Sequence, residues 1–421
     1  MALFVPFQGV RYRVGDAELS NYVCPPYDVI NDAEREALLN KSADNIVAIE
    51  LPSGGDGRYD DAAAHLAKML ASGLLLPDKN NCFYVYRMDF TTELEPAFIE
   101  GVVGRLKLEP VESGVVLPHE GTYKHAKSDR FELMKSTAAN ISPIYSLFSD
   151  PLGEVRSMIR AAAERVPAAS VTVDGVTHSI YPVRGNRAKQ MTDAFLEKTI
   201  IIADGHHRYE TALNYKAWRE QLGEIVDDSH PASYIMTACM PLEQSGLTIF
   251  PTHRALLNPA GFDRAALFGA IRDVFEITEV EGRSARQALG SRSDPNETSF
   301  LYYDGAFCLL KLRPQTDLSK LMPEKSDALR KLDVSVLHSL VIDGVLSGDL
   351  RADAAQIKVF YTRDFDEATE LVDSGAACCA FFLRPTKVSE VAAIASGGER
   401  MPQKSTYFYP KLLTGLVINK M

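Results

Sequence analysis

The segment 200–213, IIIADGHHRYETAL, gathers an aspartate, two histidines and an arginine around a single glycine. These residue types suit a phosphorylated ligand. A carboxylate at Asp204 takes a hydroxyl proton or a magnesium ion, while Arg208 and a histidine offer donors to phosphate oxygens. The flanking residues say how such a group would be positioned. Three isoleucines and Ala203 form an apolar run too short for a helix of its own, which predicts a central strand ending at Asp204. Gly205 then permits a turn that a Cβ would hinder. Tyr209, Ala212, Leu213 and Ala217 recur at helical spacing, so a helix starts near His206 and points its unpaired N–H groups at the carboxyl end of the strand. Anions favour that end.

Singly, each residue has a plainer use: Asp204 as a turn or cap, His206 and His207 as surface histidines, Arg208 as a solvated charge. Together they fit one task, with Gly205, His206, His207 and Arg208 at the phosphates and Asp204 as metal ligand or proton carrier. Zinc is disfavoured. Adjacent helical residues point roughly 100° apart, and the chain has neither HExxH nor paired CxxC.

Two further clusters carry reactive side chains. In Pro118-His119-Glu120-Gly121-Thr122-Tyr123-Lys124-His125, a carboxylate, two imidazoles and an ammonium share a predicted loop. Glu120 suits a general base toward a hydroxyl, and Lys124 or Arg130 would neutralise phosphate charge; a solvated loop is the plainer alternative. Near the end, Lys404, Ser405 and Thr406 run into Tyr407-Phe408-Tyr409-Pro410-Lys411, so two lysines and two hydroxyls flank a three-aromatic run that would line an anionic-ligand pocket or begin an edge strand. Arg254 and Arg384 each follow an apolar run and read as exposed strand ends.

Positioning these groups takes a sizeable scaffold. The chain has 421 residues, enough for roughly two or three domains. Its 46% hydrophobic and 24% charged residues are typical of a globular protein. A net charge of −11 argues against non-specific nucleic-acid binding, though a local basic patch still suits a small anion. The opening MALFVPFQGVRYRVG lacks the pattern of a secretory signal, and no apolar run approaches the ~18 residues of a membrane span, so a cytoplasmic setting is expected. The six cysteines show neither zinc nor disulfide spacing and read as structural thiols.

Helices are predicted near Asp32 to Asn40, with Asn31 and Glu34 as a capping pair, near Ser128 to Ala139, and from about Leu152 to Arg165. Strands are predicted at Cys82 to Phe90, Phe98 to Leu108, Pro143 to Phe148, Phe300 to Tyr303, Ala306 to Leu312, Ile357 to Tyr361 and Ala377 to Leu383. Alternating strands and helices give an α/β or α+β class with mixed sheets. Changes of pattern suggest an N-terminal α/β segment over 1–110, a central nucleotide-binding segment over 111–255 and a C-terminal α/β segment over 256–421 closing on the site.

Six ordered motifs resemble the domain of unknown function 1015 family of bacteria and archaea: CPPYDVI at 24–30, LPHEGT at 117–122, SDRFELM at 128–134, ADGHHRYETA at 203–212, LTIFPTHR at 247–254 and MPQKSTYFYPKLLTGL at 401–416. The central segment also resembles the ParB and sulfiredoxin fold, whose free-serine kinase members carry a PHE motif followed by DGHHR. That resemblance implies Glu120 as the base activating a serine hydroxyl, Asp204 as a metal or proton-handling carboxylate, and His206, His207 and Arg208 as phosphate contacts, with Mg2+ and ADP or ATP as cofactors. The turn lacks the sulfiredoxin cysteine, which excludes sulfinic-acid reduction by that route. No basic recognition module accompanies it, so ParB-like nucleic-acid binding is disfavoured. The expected function is a Mg-nucleotide-dependent phosphotransferase acting on a small hydroxy metabolite such as free serine, or a nucleotide hydrolase. The alternative is a non-catalytic nucleotide or metabolite sensor. Partners are a nucleotide and a small substrate, without a membrane; the sequence leaves the oligomeric state open.

Overall fold

The computed structural model describes residues 1–92, 95–121, 124–225, 227–257, 262–291, 297–349 and 358–421, with the side chains of 124–127 and 346–349 outside the description. The chain divides into two units. Met1–Pro118, Thr122–Thr248 and Pro410–Met421 make the first; His119–Gly121 and Ile249–Tyr409 make the second. Both mix strands and helices, as the alternating patterns predict.

The first unit is built on a nine-stranded sheet. Its order begins with Val116–Pro118, Ile200–Asp204, Ile144–Phe148 and Tyr234–Pro241. It continues through Pro96–Lys107, Phe83–Thr91, Val176–Val183 and Ala169–Val173, with Phe4–Val5 joining Pro96–Lys107. Ile200–Asp204 runs parallel to Val116–Pro118 and antiparallel to Ile144–Phe148. Strands buried on both faces read as continuous apolar runs, which explains why the isoleucine run was legible as a strand.

Aromatic side chains close the core. Phe195, at the end of the helix Asn186–Phe195, sits with its ring centroid 4.6 Å from Phe4 and 4.8 Å from Phe148. Each such ring contributes about 2–3 kcal/mol through its burial. Close approach of strands needs glycine at Gly101, where a Cβ would lie 2.6 Å from the Cys239 carbonyl oxygen. The helix Asp32–Lys41 carries the predicted capping box, with Asn31 accepting from the Glu34 N–H and Glu34 from the Asn31 N–H.

The last twelve residues return to the first unit, and their anchoring matters for the site. Thr414 and Cys24 exchange backbone hydrogen bonds, as do Ile418 and Val10, while Asn419 pairs with Asn140. Tyr86 fixes the start of the segment: its hydroxyl accepts from the Leu413 N–H at 3.1 Å. Nδ1 of His178 lies 2.8 Å from the same hydroxyl and shares a hydrogen bond with it.

The second unit carries a six-stranded antiparallel sheet in the order Phe275–Val280, Phe307–Leu312, Ser299–Tyr303, Cys379–Phe382, His253–Leu257, Lys358–Thr362. A separate two-stranded pair joins Thr248–Phe250 to Tyr407–Tyr409, so the three-aromatic run is a strand. Leu301, Ala255, Ala380 and Phe382 form the centre of its core. Among the described residues, no helix is long and apolar enough to cross a membrane.

Burial lowers the His178 imidazole to about 3, against a usual value near 6.5. A lowered folded-state pKa means that the unfolded chain takes up the proton first, so its stabilising contribution is present above pH 6.5 and is lost as pH falls toward 3. Denaturant titrations should therefore show the loss of stability reaching on the order of 3 kcal/mol at pH 4 from this group alone. His178→Gln should flatten that part of the profile; an unchanged slope would show that His178 is not the titrating group.

Candidate functional site

The predicted strand, turn and helix are present as Ile200–Asp204, Gly205 and His206–Gln221. Ile200 and Ile202 face the core beside Tyr209 and Ala212 of the helix that follows. The pairing with Ile144–Phe148 shifts register between Ile202 and Asp204, a bulge of the kind that re-aims a strand's last side chain. Gly205 has φ 92, and a Cβ there would meet the Arg208 guanidinium at 3.0 Å. Backbone conformation and space both ask for glycine.

Asp204 lies between two cations. Lys411 Nζ is 3.4 Å from Oδ1, and Arg208 Nη2 is 3.4 Å from Oδ2. Lys411 reaches this position because the returning C-terminal segment is pinned to Tyr86 and Cys24. Tyr145, opposite Asp204 on the neighbouring strand, is buried, and burial followed by the Asp204 charge pushes its phenol far above the ordinary range.

Arg208 faces inward. Its Nη1 donates to Ser142 Oγ at 3.0 Å and to the Pro143 carbonyl at 2.7 Å. Ser142 in turn donates to Glu50 Oε1 at 2.8 Å, and Arg130 Nη1 stands 3.9 Å from the same oxygen while its guanidinium covers the Tyr27 ring at 4.3 Å. Burial raises the Glu50 carboxyl, opposed by the charges of Arg130 and Arg208. This network joins three of the sequence motifs, those holding Tyr27, Arg130 and Arg208, around a cavity of only about 30 Å3. It is too small for a metabolite, and it serves to hold Asp204 from behind. His206 is buried at the helix start and His207 is half-buried.

Glu120 belongs to the second unit, as do Lys404, Ser405 and Thr406. Its Oε1 accepts from the Ser405 N–H at 3.1 Å, the Thr406 N–H at 3.2 Å and the Thr406 hydroxyl at 3.0 Å. Fully buried His119 places Nε2 3.0 Å from the same hydroxyl and 3.6 Å from Glu120 Oε1, and its carbonyl accepts from the Met401 N–H at 2.7 Å. Successive N–H groups closing on one oxygen require an unusual backbone, which Lys404 supplies with φ 54. Two loops of the sequence analysis, remote in the chain, thus form one structure around a carboxylate.

Arg254 corrects an expectation. It is not an exposed strand end but fully buried, donating to the Thr252 carbonyl and, through Nη2, to the Lys404 carbonyl at 2.9 Å. The strand His253–Leu257 is interior to the sheet, with neighbours on both sides, so its first residues are covered. Burial lowers this guanidinium to about 10, countered by Tyr361 and Glu120. Arg384 is likewise covered, because it grips Asp333 at 2.8 and 2.9 Å. Lys124 has its side chain outside the described residues.

Among the described residues no three His, Cys, Asp or Glu side chains gather into a metal-holding group. Asp204, with a cation at each oxygen, fits magnesium only as a single carboxylate ligand completed by a ligand's phosphates. Sequence reasoning singled out Lys411 as a cation near the aromatic run but did not place it beside Asp204, and it overlooked Glu50 beneath Arg208, because a lone glutamate in an apolar stretch carries no spacing signal.

The family model for a protein of unknown function (DUF1015) matches residues 4–335, and the chain belongs to that family. Among proteins of curated function, none matches the sequence. A conserved hypothetical protein from Pyrococcus furiosus is 13% identical, with 76% of this chain and 95% of that chain covered and a TM-score of 0.38. A mutant free serine kinase in complex with AMP is 12% identical, with 74% and 88% covered and a TM-score of 0.38. A second mutant of a free serine kinase, in complex with ADP, is 13% identical, with 73% and 87% covered and a TM-score of 0.37.

Gly205→Ala should destabilise the first unit by roughly 1–3 kcal/mol, combining left-handed strain with displacement of Arg208. Gly175→Ala is the matched control, since its φ is 77 and a Cβ would meet nothing within 4 Å. Equal losses for the two variants in chemical denaturation would show that the Arg208 contact adds nothing.

Proposed function

We propose that this DUF1015 member is a nucleotide-dependent phosphotransferase acting on a small hydroxy metabolite such as free serine, with Glu120 as the base toward the acceptor hydroxyl and the turn at Asp204 as the seat of the phosphates. The observation that carries this reading is how Glu120 is held. Two N–H groups and a hydroxyl fix one carboxylate oxygen, which sets the direction of the other. A base so oriented meets a hydroxyl in one geometry, and positioning is the larger part of what phosphoryl transfer needs.

At the turn, the charges suit an anion. The Lys411 ammonium and the N–H groups of Gly205, His206 and His207 lie at the head of a sixteen-residue helix, and Arg208 adds its charge through Asp204. Beside Glu120, the ammonium of Lys404 and the hydroxyls of Ser405 and Thr406 offer the same donor chemistry. In the transfer, Glu120 takes the hydroxyl proton, the freed oxygen bonds to the terminal phosphorus of ADP or ATP, and the bond from that phosphorus to its bridging oxygen breaks. Magnesium, when bound with the nucleotide, would neutralise phosphate charge.

Thermal unfolding of the wild type and Asp204→Ala with ADP, ATP and CTP, each with and without Mg2+, tests the seat. A nucleotide at 100 times its dissociation constant should raise stability by about 2.7 kcal/mol in the wild type and leave the variant unmoved. Glu120→Gln should keep that shift while losing turnover in a screen of hydroxy amino acids. No shift with any nucleotide would overturn the reading, and wild-type binding without turnover would reduce it to a sensor.

A further inference from the structure

We propose that the second unit has a ligand site of its own, in a cavity of about 570 Å3, and that its ligand is a small organic anion with a flat apolar body. The volume falls in the range of small-molecule sites. Phe250, His253, Arg363, Asp364, Phe365 and Arg384 are among its walls, all within one unit. The site is independent of the reading given for Glu120 and Asp204.

Arginines and a histidine line the wall while its carboxylates are committed elsewhere. Arg384 is one of the cations. Its side chain is 8% exposed, its Nε and Nη2 are taken by Asp333 and the Glu297 carbonyl, and its buried Nη1 has no partner. Nη1 itself has almost no accessible surface, so a ligand in the cavity would meet Arg384 through the field of its guanidinium and not through that N–H. His253 contributes a second donor. Its Nδ1 accepts from the Leu383 N–H at 3.3 Å, so the neutral ring carries its proton on Nε2. Burial, with the charges of Arg254 and Arg286, lowers this imidazole to about 4 and keeps it neutral near pH 7.

Arg363 is the third. It lies over an aromatic shelf, 5.0 Å from the Tyr407 ring centroid and 6.0 Å from those of Phe250 and Tyr409, without a carboxylate at ion-pair distance among the described residues. The acidic groups are occupied otherwise. Asp366 pairs with Arg286, and Asp364 Oδ1 caps the helix Phe365–Asp373, accepting from the Asp366 and Glu367 N–H groups at 2.8 and 3.2 Å. With cations on its wall and acceptors used, the cavity selects negative charge. Phe250 and Phe365 supply apolar walls for a ring.

An aryl carboxylate and a mononucleotide share this chemistry. Titration calorimetry on the full chain with 4-hydroxybenzoate, AMP and inorganic phosphate as probes separates them. One of the two ring-bearing probes should bind with a dissociation constant near or below ~1 mM. Arg363→Gln, at an exposed position, should weaken it at least about tenfold with the melting temperature unchanged. Arg283→Gln, whose side chain is 84% exposed and pairs with Glu281, should leave it unchanged, as should Asp204→Ala. AMP binding that survives Asp204→Ala and falls with Arg363→Gln would name a nucleotide as the ligand; preference for 4-hydroxybenzoate would name a carboxylate. Absence of binding by both up to about 10 mM, binding indifferent to Arg363→Gln, or phosphate binding as tightly as either would overturn the proposal.

Discussion

The arrangement at Asp204 depends on one buried cation. Arg208 reaches back from the first turn of its helix to Ser142 Oγ and the Pro143 carbonyl, and only then does its second nitrogen face Asp204. A guanidinium taken out of water is tolerable only where oxygen acceptors meet most of its N–H groups. Ser142, Glu50 and Arg130 exist in that place as a set, each oriented by the next. Losing one member would leave the others buried with charges unmatched, which is why three distant motifs meet here.

A similar logic governs the carboxylate at Glu120. There the fixed element is Arg254, fully buried, whose Nη2 holds the Lys404 carbonyl and so supports the left-handed residue that precedes Ser405 and Thr406. The loop's N–H groups converge because its backbone is pinned from inside the unit. In both places an interior arginine shapes the backbone or side chain that presents a carboxylate. The reactive-looking residues are thus the visible end of a buried structure.

How much of this the sequence disclosed follows from the period of each signal. The isoleucine run, the glycine and the helical spacing after it are local, and strand, turn and helix appeared where they were expected. The strands at Phe83–Thr91 and Ile144–Phe148 and the capping box at Asn31 were legible for the same reason. Arg254 was misread because exposure depends on sheet order: the strand His253–Leu257 is flanked by Lys358–Thr362 and Cys379–Phe382, roughly a hundred residues away. Lys411 was legible as a cation beside the aromatic run, but its pairing with Asp204 was not, because that depends on Tyr86 and Cys24 anchoring a segment far along the chain. Long-range pairing leaves no trace in local spacing.

The position of Lys411 bears on how this fold distributes its function. The family match ends at residue 335, yet Lys411 meets Asp204 Oδ1, and Ser405 and Thr406 donate to Glu120 Oε1. Both carboxylates are therefore completed by the last twentieth of the chain. That stretch divides at Tyr409: the residues before it close on Glu120, and those after it belong to the first unit, where Asn419–Lys420 pairs with Ala139–Asn140. One short segment thus sets the charge environment of two carboxylates in two units. Within the first unit a change at Tyr86 would reach Asp204 through Lys411, and within the second a change at the Lys404 turn would reach Glu120, each without touching the motif that contains the carboxylate.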